Sequence, residues 1–416
     1  MEPSSPPPRA PLTFDQLREV LDLSLRAGQL MLENGANTAR VEDAVEQLGH
    51  ALGASRMDVF VTPTGIIASD TSGAEHRTRL LRIYHSGIDL NRTGCVLELT
   101  RRAVAGEVTL QQVSEQLEQI SRQPRLYGLG LTTLWIALAC ACFALLFGGG
   151  VPEVIATGVA AAGAHLLRAG MGRLNFGRIT ATYLVAVVAS FAGLQLANLA
   201  GARTSEVALL SPVLLLVPGV LMVSSVSDLF RGDTVSGMAR AMQAFLVTVT
   251  IGAGLWTTTL LSGAEVTPFG APLAPLVLSL PLAFITTAGF AVLFDVPRKA
   301  LTLSALVGAA AWATRTLVLA LETPPEVAFF AGGMVCALLA EPLSRWLKLP
   351  PSTFIIPGFI PLVPGISAFH TVIDLANADY AQGTAGIVRT SILIGSLAAG
   401  IGVVNALRPT PRNVGR

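Results

Sequence analysis

Two long apolar stretches of this chain are broken in their middles by the same tripeptide, Val217-Pro218-Gly219 and Val363-Pro364-Gly365, 146 residues apart. Along that gapless offset Asp228 matches Asp374, Leu229 matches Leu375, Asp233 matches Asp379 and Gly237 matches Gly383, and Ala253-Gly254 falls on Ala399-Gly400. A register held over that distance marks an internal duplication. Apolar segments broken by Pro-Gly at matched places in two halves of a chain point to a ligand site near the middle of a membrane.

The chain of 416 residues is 52% hydrophobic and only 13% charged, with a mean hydropathy of +0.61, too apolar for an ordinary soluble protein of this length. Charged residues are dense before Arg125 and sparse after it, so a soluble N-terminal domain is expected at 13–125, behind a disordered Pro-rich tail at 1–12. Ten apolar segments long enough to cross ~30 Å of hydrocarbon follow. They lie near Leu129–Phe147, Val151–Leu167, Ile179–Leu199, Val207–Val226 and Met238–Leu261, then near Pro272–Phe294, Ala300–Leu321, Val327–Trp346, Ser352–Ile373 and Gly386–Ala406. This predicts a membrane repeat at 126–262, a second at 270–407 and a short tail at 408–416. An odd number of spans per repeat makes the second enter the membrane from the opposite side, an inverted repeat. With a cytoplasmic N-terminus, the inside connections collect fourteen Lys and Arg residues between Arg122 and Arg416, Arg240 among them, against three outside, Arg203, Arg315 and Arg389. The expected fold is therefore an α-helical polytopic membrane protein with ten transmembrane helices as two inverted five-helix repeats, both termini cytoplasmic, preceded by a small α+β soluble domain.

Proline lacks an amide donor and opens the helix ladder, so each break leaves carbonyls free upstream and a half-helix N-terminus downstream at Gly219 or Gly365. Ten helical residues rise ~15 Å, which puts the breaks near the midplane if Asp228 and Asp374 mark span ends. Such ends suit a zwitterion, the N-terminus attracting its carboxylate and the carbonyls its ammonium. Pro218, Gly219, Ser224, Pro364, Gly365 and His370 are the expected substrate-binding residues. Asp228, Asp233, Glu341, Asp374 and Asp379 are the expected coupling or gating residues. Simple proline kinks are the competing reading. Glu341, one helical turn before Arg345 and matched to Gln195 by the offset, serves equally well as an ion-pair partner. His165 beside Arg168 reads as interfacial, and Arg315 as a cation snorkelling outward.

In the N-terminal domain, Thr13-x-x-Gln16 has capping-box form ahead of a first helix, and Thr38 suits the N-cap of a second. Strands are expected from Met57 to Thr62, at Ile66-Ile67 and from Leu80 to Tyr84, then helices over Leu90–Ala105 and Thr109–Ser121. The segments Glu33-Asn-Gly-Ala-Asn-Thr-Ala-Arg-Val-Glu-Asp43, Val61-Thr-Pro-Thr-Gly-Ile66 and Gly87-Ile-Asp89 resemble the N-terminal domain of the threonine/serine exporter family. The segment from Pro357 to Gly365 is similar to that family's C-terminal membrane module, here fused to the first. The resemblance implies a bacterial inner-membrane carrier exporting small neutral amino acids with the proton motive force.

Amino acid, protons and lipid are then the expected partners, and a homo-oligomer is compatible with such a chain. Asn34, Arg40, Glu42 and Thr64 are candidates for a ligand or docking surface in the N-terminal domain, though turn and capping roles account for the same motifs. A net charge of +1 without a basic run argues against nucleic acid. Cys95, Cys140, Cys142 and Cys336 show no metal-ligand spacing, so neither metal nor cofactor is expected. No nucleophile motif or phosphate loop supports an enzyme. The rival function is a membrane-anchored sensor or hydrolase acting through the N-terminal domain.

Overall fold

A computed structural model describes residues 12–73, 75–264 and 275–407, so the tails and part of the 262–275 connection lie outside the described residues. The chain forms two compact units, Met1–Arg125 and Leu126–Arg416.

In the first unit the capping box of Thr13 and Gln16 opens α1 (Phe14–Glu33). Helix α2 (Thr38–Leu52) is capped by Asn37, not Thr38, because the Asn37 side chain accepts from the amide of Arg40 at 3.2 Å. An antiparallel sheet follows in the order β1 (Arg56–Thr62), β2 (Gly65–Ser72), β3 (Glu75–Arg82). Its second and third strands run well past the expected segments. Helices α3 (Leu90–Val104) and α4 (Leu110–Arg122) complete the unit, α4 opening on a second capping box at Thr109 and Gln112. Leu21, Leu25 and Met31 of α1, Val45 and Leu48 of α2, and Ile66 of β2 form its core with Val96 and Leu117. Leu12 donates its amide to Ser72 Oγ at 2.9 Å, which fastens the chain to the sheet ahead of α1.

The second unit is helical: α5 (Leu129–Leu146), α6 (Val151–Arg173), α7 (Arg178–Leu199), α8 (Ser205–Leu210), α9 (Gly219–Phe230), α10 (Thr234–Ser262), α11 (Leu276–Leu293), α12 (Arg298–Ala320), α13 (Pro325–Leu347), α14 (Ser352–Phe359), α15 (Gly365–Ala376) and α16 (Tyr380–Ala406). Among the described residues, eight of these helices are long and apolar enough to cross a membrane unaided. Two bent pairs are apolar and long enough only when taken together: Ser205–Leu216 with Gly219–Phe230, bent by 56°, and Ser352–Leu362 with Gly365–Ala376, bent by 49°, which gives eight crossings, or ten if each pair is one broken span. Large apolar side chains such as Leu134, Leu138, Val159, Leu166 and Leu306 stay exposed along the spans, as lipid-facing residues must. The chain is a polytopic helical membrane protein.

The two halves repeat element by element, with one correction to the register. Helices α9 and α15 start 146 residues apart, as do α10 and α16, but α5, α6, α7 and α8 start 147 residues before their counterparts. Packing shows the same slip. Gly254 of α10 lies against Tyr183 and Val187 of α7, and Gly400 of α16 against Phe330 and Met334 of α13, so a 146 step on one helix pairs with a 147 step on the other. The extra residue sits in the span just before the break, Ser205–Leu216 being one longer than Ser352–Leu362. Glu341 therefore corresponds to Leu194 and not to Gln195.

Glycine lets helix backbones meet without a side chain between them. A Cβ on Gly289 of α11 would stand 2.6 Å from the carbonyl oxygen of Trp135 on α5, and one on Gly254 would stand 2.8 Å from Ala186 Cβ.

Candidate functional site

Each break is built the same way. Helix α8 tightens into a 3-10 segment at Ser211–Leu216, and α14 into one at Ile360–Leu362. Val217 and Val363 then leave helical geometry, and Pro218 and Pro364 stand at the N-caps of α9 and α15 with no side-chain cap. The short pitch follows from the sequence, since proline removes the next amide from the ladder and leaves upstream carbonyls to i+3 partners: Val217 donates to Leu214 at 3.2 Å and Val363 to Ile360 at 3.1 Å.

The breaks also touch each other reciprocally. A Cβ on Gly219 would stand 2.9 Å from Val363 Cγ2, and one on Gly365 would stand 2.9 Å from Val217 Cγ2. Each glycine thus receives the valine of the other copy, the self-complementary contact of a two-fold arrangement. Beside this crossing lies a cavity of about 330 Å³, within the size range of small-molecule sites. Gly219, Pro364 and Gly365 line it, with Val217, Val363, Ser367, Phe143, Phe329, Trp312, Arg315 and Arg389. Pro218, Ser224 and His370 are not part of the lining. Arg315 is turned inward rather than snorkelling: its guanidinium stands 4.9 Å from the ring centroids of both Trp312 and Phe329.

The acidic candidates separate into different situations. Asp228 is fully buried at the far end of α9, with Oδ2 3.4 Å from Nε of Arg240, itself 6% exposed within α10. Arg240 is therefore a span residue in a buried ion pair and not a loop cation. Its counterpart at the 146 offset is Gly386, so Asp374 has no matching arginine. Asp374 is half-buried, one helical turn beyond His370 on α15. Asp233 and Asp379 stand at the N-caps of α10 and α16, and Asp379 accepts from the amide of Gln382 at 3.1 Å. Glu341 pairs with Arg345 at 2.9 Å. His165 is buried within the helices.

Two carboxylates that hydropathy alone does not single out hold the membrane unit together. Glu153, buried in the first turn of α6, accepts from the amides of Arg203 and Thr204 at 3.0 and 2.9 Å and from the Thr204 hydroxyl at 2.9 Å. Asp295 accepts from the amide of Leu126 at 3.0 and 3.1 Å, while Tyr127 donates to the carbonyl of Val296 at 2.8 Å, tying the start of the first repeat to the second.

In the N-terminal unit the three motifs converge on one another through structural bonds. Gly87 donates to the carbonyl of Glu33 at 2.7 Å, and Asp89 to that of Asn34 at 3.1 Å. Gly35 adopts φ +90° with the Gly87 carbonyl oxygen 3.1 Å from where its Cβ would be, which leaves room for glycine alone. Asn34 Nδ2 caps the Leu30 carbonyl at 2.6 Å, and Glu42 Oε1 accepts from the Val61 amide at 2.9 Å. Arg40 lies in the first turn of α2, and Thr64 is exposed in the β1–β2 turn, its carbonyl accepting from Ile83 at 2.9 Å. Burial pushes the Asp70 carboxyl on β2 up to about 6.

Comparison with known proteins gives this architecture a family. A family model described as a threonine/serine exporter matches residues 22–262, and a second, described as threonine/serine exporter ThrE, matches residues 279–407. The threonine/serine exporter of Corynebacterium glutamicum is 24% identical over 98% of this chain and 87% of its own length. A protein of Mycobacterium tuberculosis described as a probable threonine/serine exporter is 24% identical over 88% of this chain and 72% of its own length. YjjP of Escherichia coli, described as a probable succinate transporter subunit, is 28% identical over 56% of this chain and 91% of its own length. No solved structure matches the chain. The relatives are described as transporters and not as enzymes, and the two family matches lie one on each copy of the broken span. The chain belongs to the threonine/serine exporter family.

Proposed function

We propose that this protein is a secondary active transporter that exports small neutral amino acids, threonine and serine, from the cytoplasm in exchange for protons. The observation that carries the reading is the meeting of two proline-broken spans at one cavity, with Gly219, Pro364 and Gly365 in its wall. The half-helix N-termini at Gly219 and Gly365 favour a carboxylate there. The matched elements at steps of 146 and 147 residues support a duplication, which we read as two five-span repeats of opposite orientation in the bacterial inner membrane with both termini in the cytoplasm.

In this reading Pro218 and Pro364 keep the breaks open, and Ser224 and His370 line the path beyond the cavity. Asp228, Asp374 and Glu341 are the groups through which proton movement is coupled, with Asp233 and Asp379 as gating residues at the N-cap positions of α10 and α16. The N-terminal unit is a regulatory or assembly module with Asn34, Arg40, Glu42 and Thr64 near its docking face. None of the relatives named above is described as a hydrolase or a sensor.

Counterflow of labelled threonine in proteoliposomes tests the proposal. Exchange is expected without any gradient, and net accumulation only when a pH gradient is imposed. Absence of threonine and serine counterflow at matched levels of inserted protein would sink the substrate assignment. Counterflow with no response to the gradient would sink proton antiport alone.

A further inference from the structure

Among the described residues, no aspartate or glutamate lines the cavity beside the two breaks. Its polar side chains are instead Trp312, Arg315 and Arg389, which only donate, and Ser367, which can donate and accept. Arg315 and Trp312 lie three residues apart on α12, so they project from one face of the helix. The Trp312 and Phe329 ring centroids each lie 4.9 Å from the Arg315 guanidinium carbon, within cation–π range, and ring contacts of this kind do not use its N–H donors. Nε and Nη1 of Arg315 and Nε1 of Trp312 are buried and have no hydrogen-bond partner among the described residues. Buried polar groups are almost always satisfied, so these donors on two residues of the cavity wall call for an acceptor that the described residues do not supply. A carboxylate is the acceptor whose two oxygens match an arginine fork. Arg389 on α16 adds a second positive charge to the lining.

We propose that Arg315, with Trp312 Nε1 beside it, binds the carboxylate of the transported solute and sets its specificity, so that the cavity takes small carboxylates whether or not they carry an amino group. The assignment rests on reading this cavity as the transport site. Among the described residues the zwitterion's ammonium meets backbone carbonyls and the Ser367 hydroxyl here, with no anionic side chain to select it. Losing the carboxylate must therefore cost far more affinity than losing the ammonium.

Ligand-dependent thermal shifts of the purified full-length chain test this with three probes: L-threonine, 3-hydroxybutanoate (threonine without its amino group) and L-threoninamide (threonine without its carboxylate). For the wild type, both carboxylates are expected to bind and the amide to bind at least about 10-fold more weakly. Arg315→Gln is expected to weaken the carboxylates roughly 10- to 100-fold and to erase their advantage over the amide. Arg315→Lys keeps the charge but not the fork and is expected to fall between. Threoninamide binding the wild type as tightly as threonine overturns the proposal, and that comparison needs no variant to fold. Arg315→Gln retaining wild-type affinity and preference overturns it equally, even with threonine counterflow intact. If 3-hydroxybutanoate binds through Arg315 and threonine does not bind at all, the arginine's role is supported while amino-acid export is not.

Discussion

Filling either glycine at the crossing of the two breaks gives a quantitative test of their reciprocal contact. In Gly219→Ala the new methyl meets Val363 Cγ2 at 2.9 Å and Cγ1 at 3.3 Å, with Ile360 Cδ1 at 3.5 Å. The valine's branched end cannot swing away freely, so overpacking is expected to cost about 1–3 kcal/mol. Against this stands a gain of roughly 0.5–1 kcal/mol, because alanine is the better helix residue. The net expectation is destabilisation of ~0–2.5 kcal/mol. Val363→Ala removes two methyl groups and is expected to cost ~1–2 kcal/mol at ~0.8 per methylene-sized group. In the double variant the added methyl occupies space the valine vacated, so the two effects cannot sum. A favourable coupling of about 1–2 kcal/mol is expected, inside the range seen for residues in direct contact. The twin cycle, Gly365→Ala with Val217→Ala, should give a similar value, since its closest approach is also 2.9 Å, with Leu214 Cδ2 at 3.3 Å. Equilibrium unfolding of the purified chain in mixed detergent micelles reads both cycles. Additivity within ~0.5 kcal/mol in both would refute the interlocked crossing, and with it the geometry that forms the cavity wall.

Two further outcomes follow from the charges. Asp228→Asn removes the carboxylate beside the buried Arg240 guanidinium and is expected to destabilise the membrane unit by up to about 3–5 kcal/mol, with partial recovery in Asp228→Asn/Arg240→Gln; unfolding in the same micelles checks it, and a wild-type midpoint for the single variant contradicts a structural pair. Asp70 is held protonated in the folded N-terminal unit to about pH 6, above its ordinary value of 3.8, because burial disfavours its charge. Its stabilising contribution is full below pH 3.8, is lost as pH rises from there to about 6, and is absent above. Melting of a chain ending at Arg122 should show this decline, and Asp70→Asn should flatten it and raise the melting temperature at neutral pH; an unchanged pH profile in the variant would place the titration elsewhere.

The long apolar helices and the breaks were legible in the sequence because hydrocarbon imposes a coarse rule: long apolar stretches must pair every backbone group within themselves, and proline in the same place twice is conspicuous. The N-terminal sheet was harder to read. Strand β3, Glu75–Arg82, is largely exposed and polar, so it carries no two-residue alternation to reveal it. The depth of Arg315 was misjudged for a related reason. Distance along a helix from its end says how far a side chain sits from the interface, but the bend of the neighbouring span decides whether it meets lipid, water or a cavity.

The charges also break the symmetry that the backbone keeps. Counting at the 146 step suggests that Asp228 and Asp374 are one residue seen twice, but the environments differ because the residue facing them differs. In the first copy, α10 presents Arg240 to Asp228 and the pair is sealed from solvent. In the second, α16 presents Gly386, whose missing side chain is where Thr371 of α15 packs; a Cβ there would collide with the Thr371 hydroxyl, so α15 and α16 approach too closely for an arginine. Both halves bring a glycine against the broken span, Gly237 on Leu229 and Gly383 on Leu375, but only the first adds an ion pair. A buried pair resists separation through desolvated charge, whereas a glycine contact slides at little cost, so the two breaks are not equally free to move. Motion at the cavity should therefore be concentrated in α15 against α16, next to Ser367 and His370, with α9 as the fixed wall.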